Sequence, residues 1–357
     1  MLTIQGKFAD ATVMTDNIEQ HCVEQIQHIV DTEEFAGSKI VLMPDCHAGK
    51  GCCVGFTQTV TDKICPSLVG VDIGCGMLTL ELADDISTDE FLDACRAVPV
   101  GHSIHRQAQV DVSELLGHLH ADVSERFEYL QKSVGSLGSG NHFIELNVSE
   151  KTGAKYVVIH SGSRHLGVMV CQYWLSRASG EGDLKFLHGE DATMYLEDMA
   201  LTQEYAKINR AMIAQELGFS VVSQWETVHN YVDTCSETGE VILRKGSISA
   251  LRGERCLIPL NMRDGSLVCV GLGNPDWNYS APHGAGRAVS RTQARAMFQL
   301  SDYQASMQGI ASVSVCAKTI DECPFAYKDA TEIETLIDGH CVEVVDHLRV
   351  LANHKGF

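Results

Sequence analysis

The sequence predicts an α+β fold, in which mixed β-sheets pack against surrounding helices in one large domain that covers residues 1–357. Strand-like and helix-like segments interleave without the strict strand–helix–strand rhythm of a doubly wound fold. Internal repeats, low-complexity tracts and Pro/Ser-rich linkers, which would mark a domain boundary, are absent. A hydrophobic content of 45% over 357 residues is sufficient for a sizeable core.

Hydrophobic periodicity places the individual elements along the chain. In the first half it predicts a helix at 17–31, strands at 40–43, 54–60 and 77–82, helices at 88–97 and 119–134, and strands at 141–147 and 156–160. In the second half it predicts helices at 165–178 and 191–217, strands at 240–244, 256–260, 267–271 and 312–317, a helix-prone segment at 287–300, and a last helix at 331–351.

Composition limits the classes of function. No run of about 18 apolar residues occurs, so neither a transmembrane span nor a membrane partner is expected. Residues 1–20 are mixed and partly acidic without a signal-peptide pattern, which favours a cytoplasmic protein. The 14 cysteines include no CxxC pair. We expect them to stay reduced, mostly as small core residues such as Cys269 and Cys316.

The net charge of −20 argues against loose, non-specific nucleic-acid binding, which needs a basic face. A local basic cleft stays compatible with that charge. Arg287, Arg291 and Arg295 recur at the i, i+4 spacing of a single helix face. A solvated helix face is the alternative explanation of the same spacing.

The run APHGAGR at 281–287 is the most informative segment, because His283 precedes a Gly-Ala-Gly turn and the helix-prone segment. Unpaired backbone N–H groups at the start of a helix attract phosphate, and an imidazole facing a phosphate can act as a nucleophile. The run therefore predicts a phosphate site with a nucleophilic histidine. A glycine turn with an incidental histidine is the alternative.

Candidate metal ligands stand at strand ends beside glycines or after a long helix. They are Asp72, Cys75, His142, His160 and His229. A mixed set of carboxylate, thiol and imidazole suits Mn, Fe, Co or Zn better than Mg or Ca. Two ions that share one thiolate would use all five ligands. For each histidine alone, a hydrogen-bonded or surface imidazole is the alternative.

Several motifs, in order along nearly the whole chain, are similar to those of one family. They are MPDCHAGKG at 43–51, VDIGCGM at 71–77, GSGNHFIE at 138–145, HSGSR at 160–164, HN at 229–230, NYSAPHGAGRAVSR at 278–291 and AYKD at 326–329. The chain resembles the RtcB-type RNA ligases, which join RNA ends with GTP and manganese, and an RtcB-like fold is therefore expected.

The resemblance implies a role for each site residue. Two Mn²⁺ ions would be bound by Asp72, Cys75, His142, His160 and His229, with the Cys75 thiolate between them. His283 would take GMP from GTP, the second cofactor. Around the nucleotide, Asn141 is expected at the phosphates, and Glu145, Tyr327 and Lys355 are expected at the guanine. Near phosphate groups the resemblance implies Arg287, Ser290 and Arg291, and the other nucleotide-binding positions would be Asn261, Gly284, Ala285 and Gly286.

Some positions depart from the pattern of that family. Ala281-Pro282 precedes the nucleophile where small polar or Cys residues are usual, and Asn261 replaces a serine that contacts the nucleotide. His165 stands where glycine is common, and Lys50 where tyrosine is frequent. The chain is also short for the family. These departures predict a divergent paralogue with an intact metal set and an altered preference for the base or the RNA.

Three functions follow as hypotheses. The first is an RNA ligase that joins a 3′-phosphate or 2′,3′-cyclic phosphate to a 5′-hydroxyl through a GMP–histidine intermediate, in RNA repair or, second, tRNA splicing. The second is a metal-dependent nucleotidyltransferase or phosphoesterase with a changed substrate. The third is a catalytically silent RNA-end binding protein, against which the intact His283 and metal ligands argue. RNA and GTP are the expected partners, and a separate activating protein is left open.

Overall fold

A computed structural model describes residues 1–49 and 51–356, with Glu181 described in its backbone only. Lys50, one of the departing positions, lies outside the described residues. In the described ranges the helices are α1 (Gln20–Val30), α2 (Thr88–Cys95), α3 (Ser113–Gly117), α4 (Phe127–Ser133), α5 (His165–Arg177), α6 (Gly189–Leu217), α7 (Arg291–Met297), α8 (Leu300–Ser306) and α9 (Ala330–Ile337). The strands of the first half are β1 (Leu2–Gln5), β2 (Asp10–Val13), β3 (Ile40–His47), β4 (Val54–Val60), β5 (Lys63–Ile64), β6 (Gly76–Leu82), β7 (Phe143–Ser149) and β8 (Lys155–Ser161). Those of the second half are β9 (Ser179–Glu181), β10 (Leu184–His188), β11 (Val221–Val228), β12 (Asn230–Thr234), β13 (Val241–Lys245), β14 (Ser247–Ser249), β15 (Arg255–Asn261), β16 (Gly265–Gly271), β17 (Ser280–Pro282), β18 (Ala311–Ser312) and β19 (Val342–Lys355).

Two sheets form the framework. The first has the strand order β1-β2-β3-β4-β13-β12, and the second has the order β11-β6-β8-β7-β19-β16-β15, with β18 added beside β19. Both are mixed, because β2–β3 and β18–β19 are parallel pairs among antiparallel ones. The second sheet curls until its edge strands approach: the Thr227 hydroxyl of β11 accepts a hydrogen bond from the Leu257 N–H of β15 at 3.1 Å. The predicted α+β class with mixed sheets is confirmed.

The 29-residue helix α6 supports the second sheet from behind. Its Asn209 side chain donates to the Ser161 hydroxyl and the Gly162 carbonyl at the end of β8. Its Arg210 guanidinium is 1% exposed and donates to the carbonyls of Gly74 and Ser161 at 2.8 and 2.9 Å. α6 therefore fixes the loops at one end of β6 and β8, where several of the expected metal ligands lie.

Most long elements agree with the prediction from periodicity, including β4, which matches residue for residue, and α5 and α6, which match within two residues. None of the described helices is long and apolar enough to cross a lipid bilayer. All 14 cysteines are free thiols, and Cys316 is only half-buried whereas the others are buried.

Four predicted elements are wrong. The helix at 331–351 ends at Ile337, and Gly339 with a φ of +70° separates it from the strand β19. The strand at 312–317 is only β18, because the chain enters a 3₁₀ turn at Ala317–Glu322. The α-helix predicted at 119–134 is shorter in the structure and consists of α4 alone. The helix-prone segment at 287–300 becomes α7, which begins at Arg291 after the capping residue Ser290.

Candidate metal and nucleotide site

The turn that precedes β6 presents a carboxylate and a thiol on the same side. The Cys75 N–H donates to the Asp72 carbonyl at 3.2 Å, and Gly74 adopts a φ of +71° that a side chain would strain. A glycine is also needed opposite, at Gly162, because a Cβ there would lie 2.3 Å from an Asp72 carboxylate oxygen. The two small residues thus let Asp72 and Cys75 face the end of β8.

Three histidines converge on this turn from different strands. His142 immediately precedes β7, His160 lies on β8, and His229 connects β11 to β12. The Nδ1 atoms of His142 and His160 contact the carbonyls of Leu137 and Asn141 at 2.9 and 3.2 Å. A carbonyl can only accept, so each Nδ1 carries the proton and each Nε2 offers its lone pair to the centre.

The ligand atoms form two groups that share the Cys75 sulfur. One group is Asp72, Cys75 and His142, the other is Cys75, His160 and His229, and within each group the atoms lie within 4.8 Å of one another. The Cys75 Sγ is 3.4 Å from His142 Nε2 and 3.3 Å from His160 Nε2. Metal–ligand bonds of about 2.0–2.3 Å place neighbouring ligand atoms about 3.5 Å apart. The donor set and its spacing therefore fit two metal ions joined by a thiolate.

The pKa shifts of Asp72, His160 and His229 leave these three side chains in the forms that bind a cation. Burial raises the pKa of the Asp72 carboxyl, but the hydrogen bond and charge of His142 outweigh it and lower that pKa to about 2. Burial, followed by the charge of neighbouring imidazoles, lowers the pKa values of His160 and His229 well below the ordinary value. Burial and the Asp72 charge raise the pKa of the Cys75 thiol, so binding of a metal must release that proton.

His283 lies directly beside the metal cluster, immediately after β17. Its Nδ1 is 2.6 Å from the carboxylate of Asp45, which is fully buried. Its ring stacks on the His229 ring with centroids 4.9 Å apart and planes 22° apart. Because the Nδ1–H of His283 donates to the Asp45 carboxylate, the Nε2 atom keeps a free lone pair.

Asp45 is a further candidate site residue, which sequence reasoning did not identify although it stands in the quoted motif at 43–51. Close backbone packing makes its contact with His283 possible. A Cβ at Gly286 would lie 2.1 Å from the Asp45 carbonyl oxygen, and a Cβ at Gly246 would lie 3.2 Å from His283 Cε1. The helix expected directly after the Gly-Ala-Gly turn begins only at Arg291, eight residues after His283, and Ser290 accepts from the Gln293 N–H as its cap.

A cavity of about 670 Å³ opens in front of His283 and the metal cluster. The register of the second sheet places Met77, His160, Phe143 and Lys355 in one row across four strands, and all four line the cavity. Glu145 lies two residues after Phe143 on β7 and therefore faces the same side of the sheet. Lys355 is only 2% exposed and lines the cavity, so it forms part of the cavity wall and is not a solvated lysine near the chain end. The other expected nucleotide residues that line the cavity are Asn141, Asn261, Gly284, Ala285, Gly286, Arg287, Arg291 and Tyr327.

Two buried carboxylates, which sequence reasoning also missed, organise the basic end of the cavity. Glu322 pairs with Lys355, Arg287 and Arg291, while Asp321 pairs with Arg291 and Arg295. The three arginines are therefore fixed by ion pairs, and a simple solvated helix face does not describe them. The adjacent carboxyls of Asp321 and Glu322 gave no separate signal in the sequence.

Asn261 lies at the end of β15, where its side chain shapes the turn to β16. Its amide oxygen accepts the N–H groups of Arg263 and Asp264, each at 3.0 Å, and its amide nitrogen donates to the Asp264 carboxylate at 2.8 Å. Asn261 still lines the cavity. Because an amide has two N–H donors, one donor remains for a ligand.

Comparisons with known proteins identify the family to which this chain belongs. The sequence model of the family described as tRNA-splicing ligase RtcB matches residues 25–128 and 83–356. The RNA-splicing ligase RtcB of Escherichia coli strain K12 is 32% identical, over 92% of this chain and 93% of the relative. The RNA-splicing ligase RtcB of Mycobacterium tuberculosis is 27% identical over 82% and 90%. The tRNA-splicing ligase RtcB of Methanococcus maripaludis is 24% identical over 90% and 88%.

Proposed function

This chain belongs to the RtcB family, and from that premise we propose that it is a GTP- and Mn²⁺-dependent RNA ligase. It would join RNA 3′-phosphate and 5′-hydroxyl ends through a GMP–histidine intermediate, in RNA repair or tRNA splicing. The observation that carries the proposal is the position of His283: its free Nε2 stands beside two ligand groups that share the Cys75 sulfur. A cytoplasmic location, which fourteen free thiols favour, belongs to the same proposal.

Asp72, Cys75, His142, His160 and His229 are the residues that would hold the ions. Two Mn²⁺ ions bound there would supply positive charge opposite the α-phosphate of GTP and so offset the charge that builds during attack. His229 stacks on the nucleophile, which keeps the imidazole of His283 next to that charge.

His283 performs the first chemical step. Its Nε2 lone pair attacks the α-phosphorus of GTP, an N–P bond forms, and the bond from that phosphorus to the β-phosphate oxygen breaks, so pyrophosphate leaves. The Asp45 carboxylate holds the Nδ1 proton at 2.6 Å and stabilises the positive charge that develops on the ring.

Transfer of the GMP group to RNA, followed by ligation, completes the reaction. An oxygen of the RNA 3′-phosphate attacks the phosphorus of the GMP group, and the N–P bond breaks to regenerate His283. The 5′-hydroxyl of the second strand then attacks the activated 3′-phosphorus and GMP leaves. A 2′,3′-cyclic end must first be opened by water to the 3′-phosphate.

The test uses GTP labelled on its α-phosphate. Incubation with Mn²⁺ should leave label on the denatured chain, and the label should be released by acid, which hydrolyses a phosphoramidate. RNA with a 3′-phosphate and a 5′-hydroxyl should then be joined, whereas the same RNA with a 3′-hydroxyl and a 5′-phosphate should not.

A second candidate function is a nucleotidyltransferase or phosphoesterase with a changed substrate. Asn261 favours it, because most of its amide is occupied in its own turn and only one donor remains to contact a base. Turnover of a nucleotide or phosphoester with no covalent adduct would support this candidate over the ligase.

A further inference from the structure

The carboxylate of Glu322 binds four of the side chains that are expected to contact the nucleotide. Glu322 is 2% exposed and ends the 3₁₀ turn behind the cavity. Its partners are the Lys355 ammonium at 2.9 Å, the Tyr327 hydroxyl at 2.8 Å, and the guanidinium groups of Arg291 at 2.6 Å and Arg287 at 3.3 Å. Tyr327 and Lys355 are the groups expected at the base, and the arginines are those expected near phosphates.

A second carboxyl, Glu145, lies within reach of the same lysine. Glu145 pairs with Asn353 across β7 and β19, and Phe143 pairs with Lys355, so Glu145 and Lys355 are diagonal neighbours on one face of the sheet. From β8, the residue opposite Glu145 is the apolar Val158. The other side of the sheet packs against α2 through apolar residues such as Ile144.

The two carboxyls share the lysine unequally. Burial opposes ionisation of Glu322, but the charges of Lys355 and Arg291 outweigh burial and lower its pKa to about 2. Burial raises the pKa of Glu145 to about 8, and the charge of Lys355 offsets only part of that rise. Lys355 donates to Glu322 and to the Asn141 carbonyl, and so it stabilises the anion of Glu322 more than that of Glu145.

We propose that Glu322 is a positioning residue of the nucleotide site, which holds Lys355 away from Glu145 and ties the base-contacting side chains to the phosphate-contacting arginines. Glu145 then remains available at the cavity wall to accept hydrogen bonds from a ligand. The statement about the nucleotide rests on the proposed function, whereas the competition of two carboxyls for one lysine is a property of the chain alone.

The competition has a measurable consequence. A carboxylate accepts from the N1–H and N2–H groups of guanine only when it is ionised, so GTP binding should strengthen as the pH rises through the pKa of Glu145, about 8. In Glu322→Gln, Lys355 loses its anionic partner and turns to Glu145. The pKa of Glu145 should fall, and the pH dependence of GTP binding should move to lower pH by the same amount.

The experiment measures that shift on the full chain. Glutamate δ-carbons are labelled with ¹³C, the Glu145 signal is assigned from its loss in Glu145→Gln, and its titration is followed by NMR. We expect the midpoint to fall by about one pH unit or more in Glu322→Gln, the effect of an opposite charge that comes within reach of a carboxyl. The matched control is Asp233→Asn, which removes a carboxylate from the buried Arg244 outside the cavity and should leave the midpoint unchanged.

The outcomes separate the two proposals. An unchanged Glu145 midpoint in folded Glu322→Gln would overturn the positioning role. If that variant does not fold, Glu322→Asp replaces it, since aspartate keeps the negative charge but its shorter side chain places the carboxylate further from Lys355. A smaller fall of the midpoint is then expected, and no fall refutes the role. A normal shift in a protein that does not bind GTP with Mn²⁺ at any pH would refute the proposed function and leave the positioning role standing.

Discussion

The substitution Asp45→Asn tests how the nucleophile is activated. The introduced amide would have nearly the same volume as the carboxylate and could still accept from the Nδ1 proton of His283, so the packing around it should survive. The negative charge is what the substitution removes. Asp45 is fully buried and its oxygen is 2.6 Å from Nδ1, so little water screens that charge from the ring.

The magnitude follows from the charge that develops on the ring during attack. Two unit charges about 4 Å apart interact by about 4 kcal/mol at the effective dielectric constant of a partly buried site. The charge on the ring is incomplete in the transition state, which leaves about 3 kcal/mol. That value corresponds to a GMP attachment rate about 100-fold slower in Asp45→Asn.

The assay is the single-turnover rate of GMP attachment at saturating GTP and Mn²⁺. GTP affinity and metal content should be unchanged, since Asp45 belongs to neither ligand group. Asp198→Asn is the matched control, because Asp198 is equally buried but accepts from the N–H groups of His120 and Ala121 and from Trp174. An Asp45→Asn rate within about threefold of the native rate would refute the reasoning, because charge stabilisation would then contribute less than about 1 kcal/mol.

Four further substitutions test the remaining assignments. His283→Ala should abolish the GMP adduct without unfolding the chain, because the half-buried ring contributes little to the core, and an adduct of full yield would exclude His283 as the nucleophile. Cys75→Ala should lose both metal ions and His229→Ala mainly one, since only the thiolate is shared, and metal analysis after gel filtration that finds both ions in Cys75→Ala would contradict the bridge. Asn261→Ser should sharpen the preference for GTP over ATP about tenfold, the value of one hydrogen bond of about 1.4 kcal/mol. Equally strict use of GTP by the native chain and by Asn261→Ser, measured side by side as adduct formation, would show that this position does not read the base.

The sequence predicted those parts of the fold whose pattern is local. The strand β4 follows from a short apolar run between glycine-rich turns, and α6 from periodicity over 29 residues. The strand β19 was missed although Leu348, Val350 and Ala352 alternate as buried residues of a strand, because the helical start of α9 was extended across Gly339. Short strands such as β14 and β17 pair only with each other across about 30 residues, and their own two or three side chains carry no period.

The site was predictable to the extent that its chemistry resides in residue types. Cysteine and histidine side chains bind transition metals readily, which made Cys75 and the three histidines candidates, and glycines beside them indicate close backbone approach. Asp45 and Glu322 have no such signature, since acidic residues are common and mostly exposed. The contact of Asp45 with His283 spans 238 positions and exists only because β3 passes beneath the turn after β17.

A chain with a net charge of −20 can bind a polyanion only where cations or neutral groups locally reduce its negative charge. The cavity does this in two ways. At one end of it the cations Arg287, Arg291 and Lys355 pair with the carboxylates of Glu322 and Asp321, which gives three cations for two anions at that end. Burial also keeps Glu145 protonated below a pKa of about 8, which withholds its negative charge until a ligand can donate to it. The net charge of −20 opposes non-specific contact with nucleic acid, so under the proposed function discrimination between RNA ends would depend on the groups that line this cavity.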